Sequence, residues 1–327
     1  MTQNTTIADT LSAKADKIRY DETCKRLLSE KIILAWIMKV CLEEYSDVDI
    51  EQIASRYIEG NPDIGKTPNL DTEGADNAPL IWQTGTEDTT IVGQTIIYDI
   101  RFSAVIPKTC ALGSFKLLIN IEAQNDYHPG YPLVKRAIYY SCRMISAQSG
   151  TEFNSSHYEK IQKVYSIWLC MNPPQKRQKT ITKYFIGEEN IYGQIKEYRE
   201  KYDLLCVVMI CLGEPQQTAK PNATQEEKLI RLLEVLFSLR LSEMKKKIIL
   251  SKEYNIIVTE SMERLVKDMC NLSDGVEAIG FERGILQGII STCKDLGISF
   301  IDTVERVANE LDITKEEAEK KVHQYWQ

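Results

Sequence analysis

The sequence predicts an α/β fold: a mixed sheet flanked by helices, followed by an all-helical C-terminal extension. Three observations carry this. Between residues 21 and 212, apolar residues at helical spacing alternate with runs of β-branched and aromatic residues. Beyond Ala223 the strand signals cease and only helical stripes remain. Between the two lies a polar stretch, 213–223, that holds Pro215 and Pro221. The expected organisation is a leader over 1–17, an α/β domain over 18–212, a linker over 213–223 and a helical region over 224–327.

The elements follow in order. Ile32, Ile33, Trp36, Ile37, Val40 and Cys41 form an apolar stripe that predicts one helix over 21–45, with a shorter helix over 50–58. Residues 59–94 are rich in Gly, Pro and acids and predict a long loop. Residues 95–106 and 115–123 read as two strands of a hairpin joined by a longer connector. A helix is expected over 131–148 and a strand over 164–171, stopped by Pro173-Pro174, with further strands over 181–186 and 204–212. Leu229, Leu232, Leu233 and Leu236 stripe a helix over 224–241, and several short helices fill 258–327. There Gly297 ends one helix, while Ser299 with Asp302 and Thr314 with Glu317 have capping-box spacing. Gly280, Gly284 and Gly288, four apart, point to close helix packing.

Composition narrows the function classes. No apolar run reaches the length of a membrane span, and residues 1–15 lack the apolar centre of a signal peptide, so the expectation is a cytoplasmic protein with no membrane partner. Nine scattered cysteines without a CxxC pair read as reduced, mostly buried thiols. The three histidines show no zinc-ligand spacing. A net charge of −7 excludes a surface that is basic throughout but leaves room for a local basic strip.

The chemistry concentrates in Tyr98-Asp99-Ile100-Arg101 and Asn120-Ile121-Glu122-Ala123-Gln124. Each acid interrupts an apolar strand, where an unpaired carboxylate is costly. If the two runs pair, Asp99 and Glu122 sit at neighbouring strand positions, and Gln124 shares the face of Glu122. Two carboxylates and an amide then offer hard oxygen donors to a cation such as Mg²⁺. The competing readings are that Asp99 pairs with Arg101 or another base, and that Glu122 and Gln124 lie on the wet face of an edge strand.

With this order of elements, Asp99 and the Glu122-x-Gln124 motif resemble the PD-(D/E)XK nucleases. More narrowly, 21–28 (Asp-Glu-Thr-Cys-Lys-Arg-Leu-Leu), 85–88 (Gly-Thr-Glu-Asp) and 127–136 (Tyr-His-Pro-Gly-Tyr-Pro-Leu-Val-Lys-Arg) resemble the Rpn family of recombination-promoting nucleases and putative transposases, over roughly residues 16–210. The resemblance implies a PD-(D/E)XK-like core and an endonuclease that hydrolyses DNA phosphodiesters with Mg²⁺, or Mn²⁺ in its place, in a recombination or mobile-element setting. Asp99 and Glu122 are then the metal ligands, joined by an acid of the first helix, Asp21 or Glu30. Gln124 stands where many members carry lysine, and it is unable to bring a cation to the transition state. A catalytically weak or inactive nuclease-fold protein that binds DNA or a protein partner is the alternative.

Basic residues supply the candidate DNA contacts. Lys135, Arg136 and Arg143 lie on the helix after Gln124, with Tyr139 and Tyr140 beside them. Lys176, Arg177, Lys179 and Lys183 follow Pro173-Pro174, and Lys25 lies in the opening helix. Either cluster also reads as an ordinary solvated face. Lys245-Lys246-Lys247 reads as surface. Residues 300–326 have helix–turn–helix spacing but are acidic, which favours packing or protein contact over DNA. Double-strand cutting by a one-site nuclease would call for a homodimer.

Overall fold

A computed structural model describes residues 18–65, 87–89, 95–107, 116–216, 218, 220–271, 286–311 and 313–326. The expected leader, most of the loop over 59–94, the centre of the hairpin connector, and Gly280 and Gly284 lie outside the described residues.

Six strands form one mixed sheet: β1 (Asp63–Ile64), β4 (Ile100–Val105), β5 (Lys116–Asp126), β6 (Lys163–Asn172), β8 (Leu205–Cys211) and β7 (Thr180–Phe185), in that spatial order. β2 (Glu87–Thr89) and β3 (Thr95–Ile97) pair separately. β4 pairs antiparallel with both β1 and β5, β5, β6 and β8 are mutually parallel, and β7 closes the far edge antiparallel to β8. The C-terminal ends of β5, β6 and β8 therefore lie together.

Helices cover both faces, because alternate residues of the central strands are apolar on each. On one face Ile119, Ile121 and Ala123 of β5 join a core with α1 (residues 18–29), α2 (Lys31–Cys41), α5 (Gln225–Phe237), α6 (Glu243–Tyr254) and α7 (Glu260–Asn271). On the other, Leu118, Val164 and Trp168 pack with Leu133, Ala137, Tyr140 and Met144 of α4 (Leu133–Ser146). A third cluster unites α8 (residues 286–295), α9 (Phe300–Glu310) and α10 (Lys315–Tyr325). The apolar core thus divides the helical region after α7, and Leu229, Leu232, Leu233 and Leu236 of α5 seal the sheet. Among the described residues no helix is long and apolar enough to cross a membrane.

Local differences from expectation have local causes. The helix expected over 21–45 breaks at Glu30, whose ψ of 123° is extended. Just before it the Ser29 hydroxyl donates to the Arg26 carbonyl, competing with the helical ladder. Residues 50–57 form a short helix, α3 (Ile50–Gln52), that runs into a π turn at Ile53–Tyr57. The strand expected over 95–106 is two strands, with Tyr98 and Asp99 as a bend between β3 and β4. Lys246 is fully buried and donates to the Leu236 carbonyl at 2.9 Å, so it is not part of a surface triplet. The caps do form: Thr224 with Glu227 makes a full capping box, and Ser299 and Thr314 accept from Asp302 and Glu317.

Candidate functional site

The bend before β4 creates the site. β4 and β5 pair from Val105 with Lys116 to Ile100 with Ile121, so Asp99 lies beside Glu122 where the ladder stops. Freed from strand geometry, Asp99 and Glu122 clasp each other through the backbone. The Asp99 amide donates to Glu122 Oε1 at 3.2 Å, and the Ala123 amide donates to Asp99 Oδ2 at 2.9 Å. Asn120, two residues before Glu122 and on the same face, donates from Nδ2 to Glu122 Oε1 at 3.2 Å.

Lys25 of α1 completes the contact. Its ammonium lies 2.9 Å from Asp99 Oδ1 and 2.8 Å from Asp21 Oδ2, with its side chain only 7% exposed. The i, i+4 spacing of Asp21 and Lys25 puts both on one helix face. Of the two first-helix acids considered, Asp21 therefore reaches the site through Lys25, and Glu30 stands at the N-cap of α2 without a side-chain capping bond. Asp99 does pair with a base, but that base is Lys25 and not Arg101. Lys25 is also not placed as a phosphate contact, since it is buried between two carboxylates.

The electrostatics are unbalanced. Burial, then the Asp99 charge, holds the Glu122 carboxyl well above its ordinary range. Burial raises Asp99 as well, against the opposing pull of Lys25. Glu122 is 3% exposed, which overturns the wet-face reading for that residue. Gln124 follows it on the same face, half-buried.

Arg136 approaches from α4 and acts electrostatically on Glu122. Its guanidinium donates to the Tyr140 hydroxyl at 2.7 and 3.0 Å and to Tyr131 at 2.8 Å, and it stacks 5.2 Å from the Trp168 ring. Arg136 is thus held half-buried by aromatics. Lys135 and Tyr139 are exposed and Arg143 is half-buried on the same helix, while Tyr140 is buried. Lys176 and Arg177 are exposed on the turn after β6, and Arg177 stacks 5.5 Å from Tyr127 just past β5. The two basic clusters consequently border the same end of the sheet, where the parallel strands finish. Lys183 leaves this group, because its ammonium pairs with Glu43.

Asn120 and the clamping role of Lys25 were missed by sequence reasoning. The period-two spacing of Asn120 and Glu122 was a usable signal; the Lys25–Asp99 contact, between residues far apart in the chain, had none.

The donor set fits a small hard cation. Two carboxylates and an amide offer oxygen, and Asn120 Oδ1 is buried with no hydrogen-bond partner among the described residues. Among the described residues no three His, Cys, Asp or Glu side chains form a metal-ligating group, so water would complete the coordination. Comparison with known proteins gives no match to a family model, a curated protein or a solved structure.

Proposed function

We propose that the chain is a divalent-cation-dependent nuclease that hydrolyses DNA phosphodiesters, with Asp99 and Glu122 as the cation ligands. One observation carries the reading: two neighbouring carboxylates, both raised by burial, lie at a bend in the sheet, and Lys25 of α1 pairs with Asp99 but not with Glu122. Such pairs are costly to keep unless they serve a charge brought to them. The order of α1, an antiparallel strand pair, α4 and a parallel strand accords with the resemblance to PD-(D/E)XK nucleases of the Rpn type.

Mg²⁺ bound there, or Mn²⁺ in its place, would supply an activated water and relieve charge at phosphorus. The chain's own residues do the rest. Asp99 and Glu122 hold the cation, each fixed by the backbone amide beside the other. Lys25 keeps Asp99 in position and offers an ammonium near the site where Gln124 carries none. Lys135, Lys176 and Arg177 present positive charge to the DNA backbone, and Arg136 braces the wall facing Glu122. The context of recombination or transposition belongs to the resemblance alone.

The test is a supercoiled plasmid incubated with the protein and Mg²⁺ or Mn²⁺, with and without chelator. Nicking or linearisation that needs the cation is expected, and Asp99→Ala and Glu122→Ala should each reduce it by roughly 10³-fold or more. Undiminished cutting by both variants, or none by the wild type with either metal, overturns the reading. The Lys25–Asp99 ion pair favours one alternative, a nuclease fold that binds DNA without cutting. Cation-independent DNA binding without cleavage would select it.

A further inference from the structure

Between β7 and β8 the chain runs out from the sheet as a loop over 186–198, and every residue from 185 to 201 is exposed. Its apolar side chains are displayed to an extent that a solvent-facing loop does not need: Ile191 and Tyr192 are each 98% exposed, Ile195 77% and Tyr198 71%. Single exposed apolar residues are ordinary, but a contiguous group of them marks an interaction surface.

The loop is also preformed. Phe185 at its base pairs with Cys206 in the sheet. At the other end the Arg199 guanidinium lies 2.7 Å from Glu43 and 3.1 Å from Asp203. Within it, Asn190 Oδ1 accepts from the Ile195 amide at 3.0 Å and Glu188 Oε1 from the Glu197 amide at 3.1 Å. These two braces are centred on Tyr192-Gly193, where Gly193 takes a φ of +74° that turns the chain back. A loop already held in shape loses little entropy on docking.

We infer that this loop is a dimerisation arm, packing its apolar tip against the same loop of a second copy about a two-fold axis. The charges favour that occupant. The outgoing limb, 186–193, carries Glu188 and Glu189 and no base, and the returning limb, 194–201, carries Lys196, Arg199 and Lys201 against Glu197 and Glu200, so an antiparallel meeting sets the acidic limb of each copy against the net basic limb of the other. With four acids against three bases over 186–201, the loop is not a phosphate-binding element. The area also suffices. Ile191, Tyr192, Ile195 and Tyr198 present on the order of 600 Å², so two arms would bury about 1,200 Å², the lower range for a specific interface. This inference does not depend on the nuclease reading.

Sedimentation of the full-length chain, without DNA or divalent metal, tests it. The wild type is expected to sediment at twice the 37.5 kDa chain mass. Ile191→Asp combined with Tyr192→Asp should raise the dimer dissociation constant by about 100-fold, as loss of two central anchors does. The circular dichroism and melting of the separated monomer should be unchanged, because neither side chain packs in the core. A wild type that stays monomeric at high concentration, or a double variant that dimerises undiminished, overturns the inference. So does a monomeric wild type whose DNA affinity falls in the double variant, which would place the loop on nucleic acid.

Discussion

Two charge clusters occupy opposite ends of β6 and are built on different rules. At the N-terminal end, Glu43, Glu44 and Asp203 meet Lys163, Lys183 and Arg199, three acids with three bases. Lys163 lies 3.0 Å from Glu44 and 2.8 Å from Asp203, Arg199 bridges Glu43 and Asp203, and the Tyr165 hydroxyl donates to Glu44. Toward the other end, Asp21 and Asp99 share Lys25 as their ion-pair partner, while Glu122 has no ion pair among the contacts described above and feels Arg136 from farther off. The consequences are opposite in sign. Hydrogen bonds from Lys183 and Arg199 pull the Glu43 carboxyl down to about 2, whereas Glu122 and Asp99 are both pushed up. A cluster that only holds the fold together neutralises its charges. In the other, burial holds two carboxyls toward their protonated form, a cost that a nearby cation would relieve.

The comparison breaks most sharply at its lysines. Lys25→Met leaves Asp99 buried and uncompensated, and should cost on the order of 3–5 kcal/mol in chemical denaturation without metal. Added Mg²⁺ should return part of that loss, since a ligand bound only by the folded state stabilises it. If Lys25→Met unfolds like the wild type, the ion pair is not the keystone described above; if Mg²⁺ moves neither protein, the surplus charge does not serve a cation.

Glu122→Gln is expected to have a smaller, pH-dependent effect. A carboxyl whose folded pKa is raised contributes stability that is fully present below its unfolded pKa and is lost as pH rises through the folded value. The variant should therefore melt higher than the wild type at neutral pH, and the gap should close as pH falls through the ordinary carboxylate range. A gap that is constant with pH would mean that Glu122 carries no strained charge.

The smallest effect belongs to Glu43. Its depressed pKa contributes stability that is present above the ordinary carboxylate range and fades as pH falls toward about 2. Because Glu43 and Arg199 are each about half exposed, Glu43→Gln should cost below about 1 kcal/mol at neutral pH, and less in high salt. A loss comparable to that of Lys25→Met would remove the distinction between the two clusters.

Much of the sheet was legible because strand signals are local. The strands expected over 115–123, 164–171, 181–186 and 204–212 differ from β5 to β8 only at their ends, and the pairing of β4 with β5 followed from two adjacent runs. Asp99 and Glu122 stood out for a related reason, as charges that broke an apolar pattern. What was not legible depends on contacts between distant residues or on competition within a turn. The bend at Tyr98–Asp99 is hidden in a continuous run of β-formers. The break at Glu30 comes beside a hydroxyl-to-carbonyl bond, Ser29 to Arg26, that residue spacing does not reveal. Lys25 and Arg136 read as DNA contacts and Lys246 as surface charge, because no sequence pattern reveals that a long side chain turns inward to a carboxylate, a ring or a carbonyl.

Lys246 has one further consequence. Its ammonium is sealed at the α5–α6 corner against the Leu236 carbonyl, and burial lowers its pKa. An amine-labelling reagent would modify exposed lysines at once but reach this one only when the corner opens. The rate of its modification, followed by mass spectrometry of the peptide, therefore times the opening of the helices that seal the sheet, a local unfolding event that bulk melting averages away.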